Sequence, residues 1–197
     1  MNAHEAPSLV LASTSAYRRE LLARLRLPFE CLPPGCDERR LPDEPAPALV
    51  QRLARLKAEA VAALRPGSVV IGSDQVALRG DEILGKPGTV ERCTEQLLRS
   101  SGQQVVFLTA VQVLDGRHGR AESHLDRTVV QFRELGPEEI SRYIATDAPL
   151  DCAGGFKAES LGIALFDRIE SSDPTALTGL PMIWVSAALR RAGIPVP

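Results

Sequence analysis

In the stretch from Ile71 to Pro87, IGSDQVALRGDEILGKP, one carboxylate and one ammonium, Asp74 and Lys86, each stand close to a glycine. A carboxylate can accept a proton or hold a metal, and an ammonium can take a phosphate. Glycine lets the backbone turn tightly or approach a ligand closely, so Gly72 and Gly85 beside these charges suggest a phosphate or metal site. An ordinary hairpin with solvated charges at its rim fits the same residues and is the simpler reading of this stretch alone. A second candidate is the pair Arg18-Arg19, placed just after Ser13-Thr14-Ser15. The start of a helix carries partial positive charge and free N–H donors, so cations there are unfavourable unless an anion compensates. That conflict favours anion binding over solvated arginines. Lys57 falls on the apolar stripe of another predicted helix, where it either snorkels or projects its charge into a cleft. The chain has twenty arginines and only three lysines, Lys57, Lys86 and Lys157, so a lysine is the rarer choice. An ammonium is a compact point charge where a guanidinium is a planar fork. Asp37 and Glu38 are acids that can hold a metal or face water.

The elements that must position these groups are legible in outline. Ser8 to Ala12 reads as a short strand and Ala16 to about Arg26 as a helix with Leu21, Leu22 and Leu25 on one face. Phe29 to Leu32 reads as a strand. The run Leu41-Pro42-Asp43-Glu44-Pro45-Ala46-Pro47 reads as a loop, followed by a helix from Ala48 to Leu64. Val69-Val70-Ile71 is expected to be a short strand delivering a Gly-Ser-Asp-Gln turn, with a second, hairpin-like turn at Arg79-Gly80-Asp81. Thr89 predicts a helix cap, Gly102 its end. Val105 to Leu114 and Leu125 to Phe132 predict an antiparallel pair, with Thr109 a polar interruption. Gly136-Pro137 opens another helix, 147–161 is a glycine-bearing loop, Ala164 to Ile169 a last strand and Leu180-Pro181 the lead into a helix through Arg191. Mixed strand and helix order with at least one antiparallel pair predicts α/β with a mixed sheet, not an all-parallel doubly wound one.

Composition limits the function classes. At 197 residues, 44% apolar and 24% charged, the chain has the make-up of a soluble globular protein with one sizeable core, expected as a single unit over 1–197. Its apolar runs are too short to span a bilayer and Met1 to Pro7 is polar, so neither membrane insertion nor a secretory signal is expected and the location reads as cytoplasmic. A net charge of −2 argues against a nucleic-acid coat but leaves a small anionic substrate open. Cys31, Cys36, Cys93 and Cys152 lack the spacing of a zinc site and read as reduced thiols.

Taken together, LASTSAYRRELL, Asp37-Glu38, LARLKAEAV, GSDQV with ILGKP, SGQQVVFLTAVQV, CAGGFKAESLG and TGLP resemble the Maf family of nucleoside triphosphate pyrophosphatases, in order along nearly the whole chain. The resemblance implies an elongated mixed-sheet α/β fold like that of inosine triphosphate pyrophosphatase with two lobes around a cleft, and it allows a homodimer. It also implies cleavage between the α and β phosphates with a divalent metal, magnesium, manganese or cobalt. By the same resemblance Ser13, Arg18, Arg19, Lys57 and Lys86 bind the phosphate chain, Asp74 is the proton acceptor, and Glu38 with Asp74 are metal candidates.

Tyr17, Gln75 and Glu159 occupy the places where branches of the family differ. The branch cleaving dTTP and UTP typically has Arg, Thr and Gln there, whereas an aromatic residue, Gln and Glu resemble the branch cleaving 7-methyl-GTP. N7-methylated guanine is cationic, so an aromatic face can stack on it for about 0.5 to 2 kcal/mol. A carboxylate can accept from its N1–H and amino group as a charge-assisted pair. Tyrosine stands where tryptophan is more usual, Ala16 where proline is common, and Ser160-Leu161 interrupt the usual glycine. Two alternatives remain at this stage: a dTTP/UTP pyrophosphatase, and a non-catalytic nucleotide-binding regulator of cell division.

Overall fold

The structure is a computed structural model that describes residues 7–197. Its strands are β1 (Leu9–Ala12), β2 (Glu30–Cys31), β3 (Val69–Arg79), β4 (Glu82–Leu84), β5 (Gln104–Asp115), β6 (Arg120–Phe132) and β7 (Phe166–Glu170). The helices are α1 (Ala16–Ala23), α2 (Ala46–Leu64), α3 (Val90–Ser100), α4 (Pro137–Asp147) and α5 (Met182–Arg191). The strands follow the order β2-β1-β3-β5-β6-β7, with β4 beside β3. β1 pairs parallel with β2 and β3, while β3–β4 and β6–β7 are antiparallel, so the sheet is mixed as the sequence predicts. No helix among the described residues is long and apolar enough to cross a membrane. None of the four cysteines forms a disulfide.

The chain divides into two compact units, one formed by residues up to Gln75 with Thr109–Asp126 and Asp173–Pro197, the other by Val76–Leu108 and Arg127–Ser172. In the first, side-chain alternation along the strands decides everything that follows, because successive residues point to opposite faces. Leu9, Leu11, Val69 and Ile71 pack with Leu21 and Leu22 of α1 and Val185 and Leu189 of α5. Val10, Ala12 and Val70 pack on the other face with Ala58 and Val61 of α2. Both faces of β1 and β3 are thus covered, which is why their runs read as continuously apolar.

Four expectations need correction. Gly-Ser-Asp-Gln is no turn: β3 runs unbroken through it, with Leu9–Ala12 laddered to Val69–Gly72. The polar residues there mark faces of a strand, not a bend. Gly72 is needed for approach between elements: a Cβ would stand 2.6 Å from Ala58 N and closer still to the Ala54 carbonyl of α2. α2 begins at Ala46, with Pro47 in its first turn. Proline has no N–H to offer, and the first turn needs none. β6 starts at Arg120, five residues before the strand read from sequence, and α1 ends at Ala23. The Arg79-Gly80-Asp81 hairpin is present, with Arg79 paired to Glu82.

In the second unit Phe107, Phe132, Phe156 and Phe166 meet edge to face, with centroids 4.8–5.5 Å apart. Aromatic edges and faces carry opposite partial charge, so this arrangement is the attractive one. α3 packs on α4, and Thr89 Oγ1 accepts from Arg92 N to cap α3.

Candidate active site

The first unit assembles most of the charged candidates. Because Gly72 lets α2 lie against β3, residues of β3 with the same parity as Gly72 face α2, and the next of these is Asp74. Lys57 is one turn on from Leu53 and Ala54 along the buried stripe of α2 and meets it there. Lys57 Nζ lies 2.7 Å from Asp74 Oδ1 and 2.7 Å from Glu38 Oε2. The lysine does not snorkel: its side chain is 7% exposed and that of Asp74 12%, while Glu38 is 52% exposed. Burying two charges is tolerable because each is the other's partner. Glu38 is held near by a device that sequence reasoning missed. Arg52 of α2 binds both oxygens of Glu44, at 2.6 and 2.7 Å, and reaches Arg39 O at 3.0 Å, so the loop carrying Glu38 is tied to the helix carrying Lys57. That fork-on-carboxylate pair holds the Glu44 carboxyl at a pKa of about 2. Asp37 turns away and pairs with Arg39 at 2.6 Å, so only Glu38 of the two acids joins the set.

Arg18 sits at the start of α1. Ser15 caps that helix, its Oγ accepting from Arg18 N at 3.4 Å, and the buried Ser13 accepts from Ser15 N at 3.1 Å. Burial pushes the Arg18 guanidinium below its ordinary pKa, opposed by the nearby carboxylates of Asp74 and Glu38. A guanidinium remains charged in proteins, so Arg18 is a half-buried cation within electrostatic reach of those acids. Tyr17 is half-buried beside it and Arg19 is exposed.

Residues of opposite parity on β3 face away from α2. Ser73 Oγ contacts the carbonyls of Ala110 and Gly179 at 2.8 and 2.9 Å. Gln75 Nε2 is surrounded by Thr109 Oγ1 at 2.8 Å, Ala176 O at 3.0 Å and Leu177 O at 3.1 Å. Two carbonyls around that atom require it to be the donor. A signal for these roles was present in sequence: polar residues two apart in an apolar strand share a face.

Lys86 and Glu159 belong to the second unit, and both are exposed. Glu159 lies on a segment held to α4 by one backbone and two side-chain donors. Tyr143 Oη accepts from Lys157 N at 2.9 Å, Lys157 Nζ donates to Asp147 O at 2.7 Å, and Ser160 Oγ donates to Asp147 Oδ1 at 2.8 Å. Gly162 closes the turn where a Cβ would come within 3.0 Å of Lys157 N. Among the described residues no three His, Cys, Asp or Glu side chains gather as a ready-made metal cluster.

Arg18, Lys57, Asp74 and Glu38 therefore form a charge-balanced set of two cations and two carboxylates in a mixed-sheet α/β protein. The sequence profile of the Maf family, described as Maf-like protein, matches residues 8–192, and the chain belongs to that family. It is 56% identical to a 7-methyl-GTP pyrophosphatase of Xanthomonas campestris over 97% of this chain and 99% of that one. It is 53% identical to a 7-methyl-GTP pyrophosphatase of Alkalilimnicola ehrlichii over 98% of this chain and 96% of that one. Among solved structures, the Ham1 protein of Staphylococcus aureus overlaps 64% of this chain and 72% of its own, at 16% identity and a TM-score of 0.47.

Proposed function

We propose that this chain is a cytoplasmic pyrophosphatase that hydrolyses 7-methyl-GTP to 7-methyl-GMP and diphosphate. The observation that carries this reading is Lys57 Nζ standing between Asp74 and Glu38, with Arg18 beside them, in a chain more than half identical to proteins named for that activity.

In the proposed reaction a water oxygen bonds to the α-phosphorus, the bond from that phosphorus to the α–β bridging oxygen breaks, and diphosphate leaves. The water's proton goes to Asp74. Its Oδ1 is taken by Lys57, which leaves Oδ2 to accept that proton. Arg18, Arg19, Lys57 and Lys86 bind the phosphate chain, and Ser13 with the α1 N-terminus adds neutral donors. Phosphoryl transfer needs positioning and charge neutralisation more than covalent help.

A divalent metal fits this donor set. Asp74 and Glu38 are hard oxygen donors converging on one ammonium, and a magnesium-type ion is usually bound by one or two carboxylates plus substrate phosphates, not by an all-protein cage. The two cations and two anions of the set already balance, so a triphosphate calls for added positive charge. When bound, such an ion supplies electrostatic relief on the phosphate oxygens and acidifies water.

For the base, Tyr17 offers a stacking face and Glu159 a carboxylate to the guanine N–H groups and the methylated cation. Gln75 has committed its Nε2 to the protein, leaving Oε1 as an acceptor. The test is turnover of 7-methyl-GTP, GTP, dTTP, UTP and CTP with magnesium, manganese, cobalt and chelator. 7-methyl-GTP is expected to have the highest kcat/KM; a higher value on dTTP or UTP overturns the substrate, and no turnover of any triphosphate overturns the enzyme. Tyr17→Arg with Glu159→Gln should move preference toward pyrimidines.

A further inference from the structure

Arg18 is held from behind by a carbonyl that belongs to the segment before α5. Its Nε donates to Gly179 O at 3.0 Å, and among the described residues neither Nη atom makes a hydrogen bond. A guanidinium is a rigid plane with five donors. Fixing Nε sets that plane and aims the remaining fork. The same Gly179 oxygen lies 2.9 Å from Ser73 Oγ, whose one proton it shares with Ala110 O at 2.8 Å, and Ser73 is fully buried. Gly179 itself has φ of +116°, and a Cβ there would meet Arg18 Nε at 3.2 Å and Cγ at 3.4 Å. Only glycine suits both the conformation and the close approach.

The carbonyl is fixed because the whole segment is. Ala176 O takes Thr109 Oγ1 at 2.9 Å and Gln75 Nε2, and Leu177 O takes Gln75 Nε2. On its far side the buried Asp173 accepts from Thr175 N at 2.9 Å and from Ile183 N at 2.7 Å, while Thr175 Oγ1 accepts from Met182 N at 2.9 Å. Met182 N and Ile183 N are orphan donors of the first turn of α5, whose cap position is a proline with no side chain to offer. The segment is therefore tied at one end to a helix N-terminus and along its length to β3 and β5.

We propose that Ser73 and Gly179 are positioning residues that hold the Arg18 guanidinium in the orientation that grips the substrate's phosphates, with Gln75 and Asp173 bracing the segment that supplies the carbonyl. Parity on β3 gives the strand two duties: Asp74 toward α2, and Ser73 and Gln75 toward this brace. The inference rests on Arg18 as a phosphate ligand. Preorganised orientation of a binding group is worth large rate factors when the geometry is otherwise ready.

The experiment is a double-mutant cycle on the full chain with Ser73→Ala and Arg18→Ala, measuring kcat/KM for 7-methyl-GTP and for GTP. Ser73→Ala is expected to lower both values by a common factor, about tenfold to a hundredfold, and to cost little further when Arg18 is already Ala. Gly179→Ala should give the same pattern. Far-UV circular dichroism and thermal unfolding verify folding; should Ser73→Ala unfold, Ser73→Cys keeps the volume with a weaker donor and is read instead. A Ser73 effect that is absent, or equally large in the Arg18→Ala background, overturns the positioning role while leaving Arg18 as a ligand. Wild-type kcat/KM for Arg18→Ala overturns the ligand reading beneath it.

Discussion

The charge set of the first unit and the Glu159 segment of the second are both polar and both carry a buried or half-buried lysine, yet they are held by different means. Lys57 meets two carboxylates, whereas Lys157 meets a backbone carbonyl, Asp147 O. Side-chain ion pairs can trade partners when a stronger anion arrives. The backbone carbonyl of the last residue of α4 cannot leave without unwinding the end of that helix. On the proposed function, the difference separates groups that respond to substrate from groups that keep a shape.

Substituting the two sets should therefore damage different things. Asp74→Asn removes the proposed proton acceptor but leaves Lys57 paired with Glu38, so kcat on 7-methyl-GTP is expected to fall about 10²- to 10⁴-fold with the fold intact. Retention of more than a tenth of wild-type kcat would break the assignment. Lys57→Met leaves the Asp74 carboxylate buried without its cation, which should cost on the order of 3 kcal/mol in urea unfolding as well as activity. By contrast Lys157→Met loses one charge-assisted bond at a half-exposed site, expected at about 1 to 2 kcal/mol, with kcat within a few-fold of wild type. If Lys157→Met abolishes kcat at unchanged stability, that lysine belongs with the responding groups.

Gly72→Ala tests how the responding set is assembled. The added methyl would collide with Ala58 N and the Ala54 carbonyl of α2, so the helix must shift, at about 1 to 3 kcal/mol. A shifted α2 carries Lys57 away from Asp74, so the expected signature is a lowered Tm together with lowered kcat. A stable, fully active Gly72→Ala protein would show that the spacing of α2 from β3 is unimportant.

How much of this was legible beforehand follows from the range of the interactions. Lys57 was visible because a lysine on an apolar helical stripe is anomalous by itself, and the α1 cap because it is made by Ser15 within one turn. The mixed sheet was readable from alternation and turn residues. Asp74 was singled out beside a glycine, but the glycine's purpose was misread, since only the packed α2 reveals that Gly72 serves helix approach. Arg52 with Glu44, and Ser73 with Gly179, were silent: their partners are eight and more than a hundred residues away, and no local propensity records a contact of that kind. Gln75 illustrates the same limit, because a residue type assigned by resemblance carries no statement of which of its two amide atoms is already engaged.

The smallest expected effect lies in the second unit. Tyr143 is buried, and its Oη accepts from Lys157 N at 2.9 Å in the segment that bears Glu159. Burial raises its phenol above the ordinary value of 10.0, as does the nearby Asp147, with the Lys157 N–H acting the other way. Cys93 is also buried in this unit, and burial pushes its thiol up to about 11 from 9.0. Both are neutral acids whose folded-state pKa exceeds the unfolded one. The unfolded chain therefore loses these protons first, and their contribution to stability is complete below the unfolded values and lost as pH rises through the folded ones. Stability should fall from pH 9 upward through Cys93 and from pH 10 upward through Tyr143. Tyr143→Phe is expected to cost about 0.5 to 1.5 kcal/mol at neutral pH through the lost hydrogen bond, and to flatten the decline above pH 10 while leaving the Cys93 portion in place. Urea midpoints taken between pH 7 and 11.5 measure both parts. An unchanged slope above pH 10 would mean that Tyr143 titrates as freely in the folded chain as in the unfolded one, and that the Glu159 segment is held by less than its backbone contacts indicate.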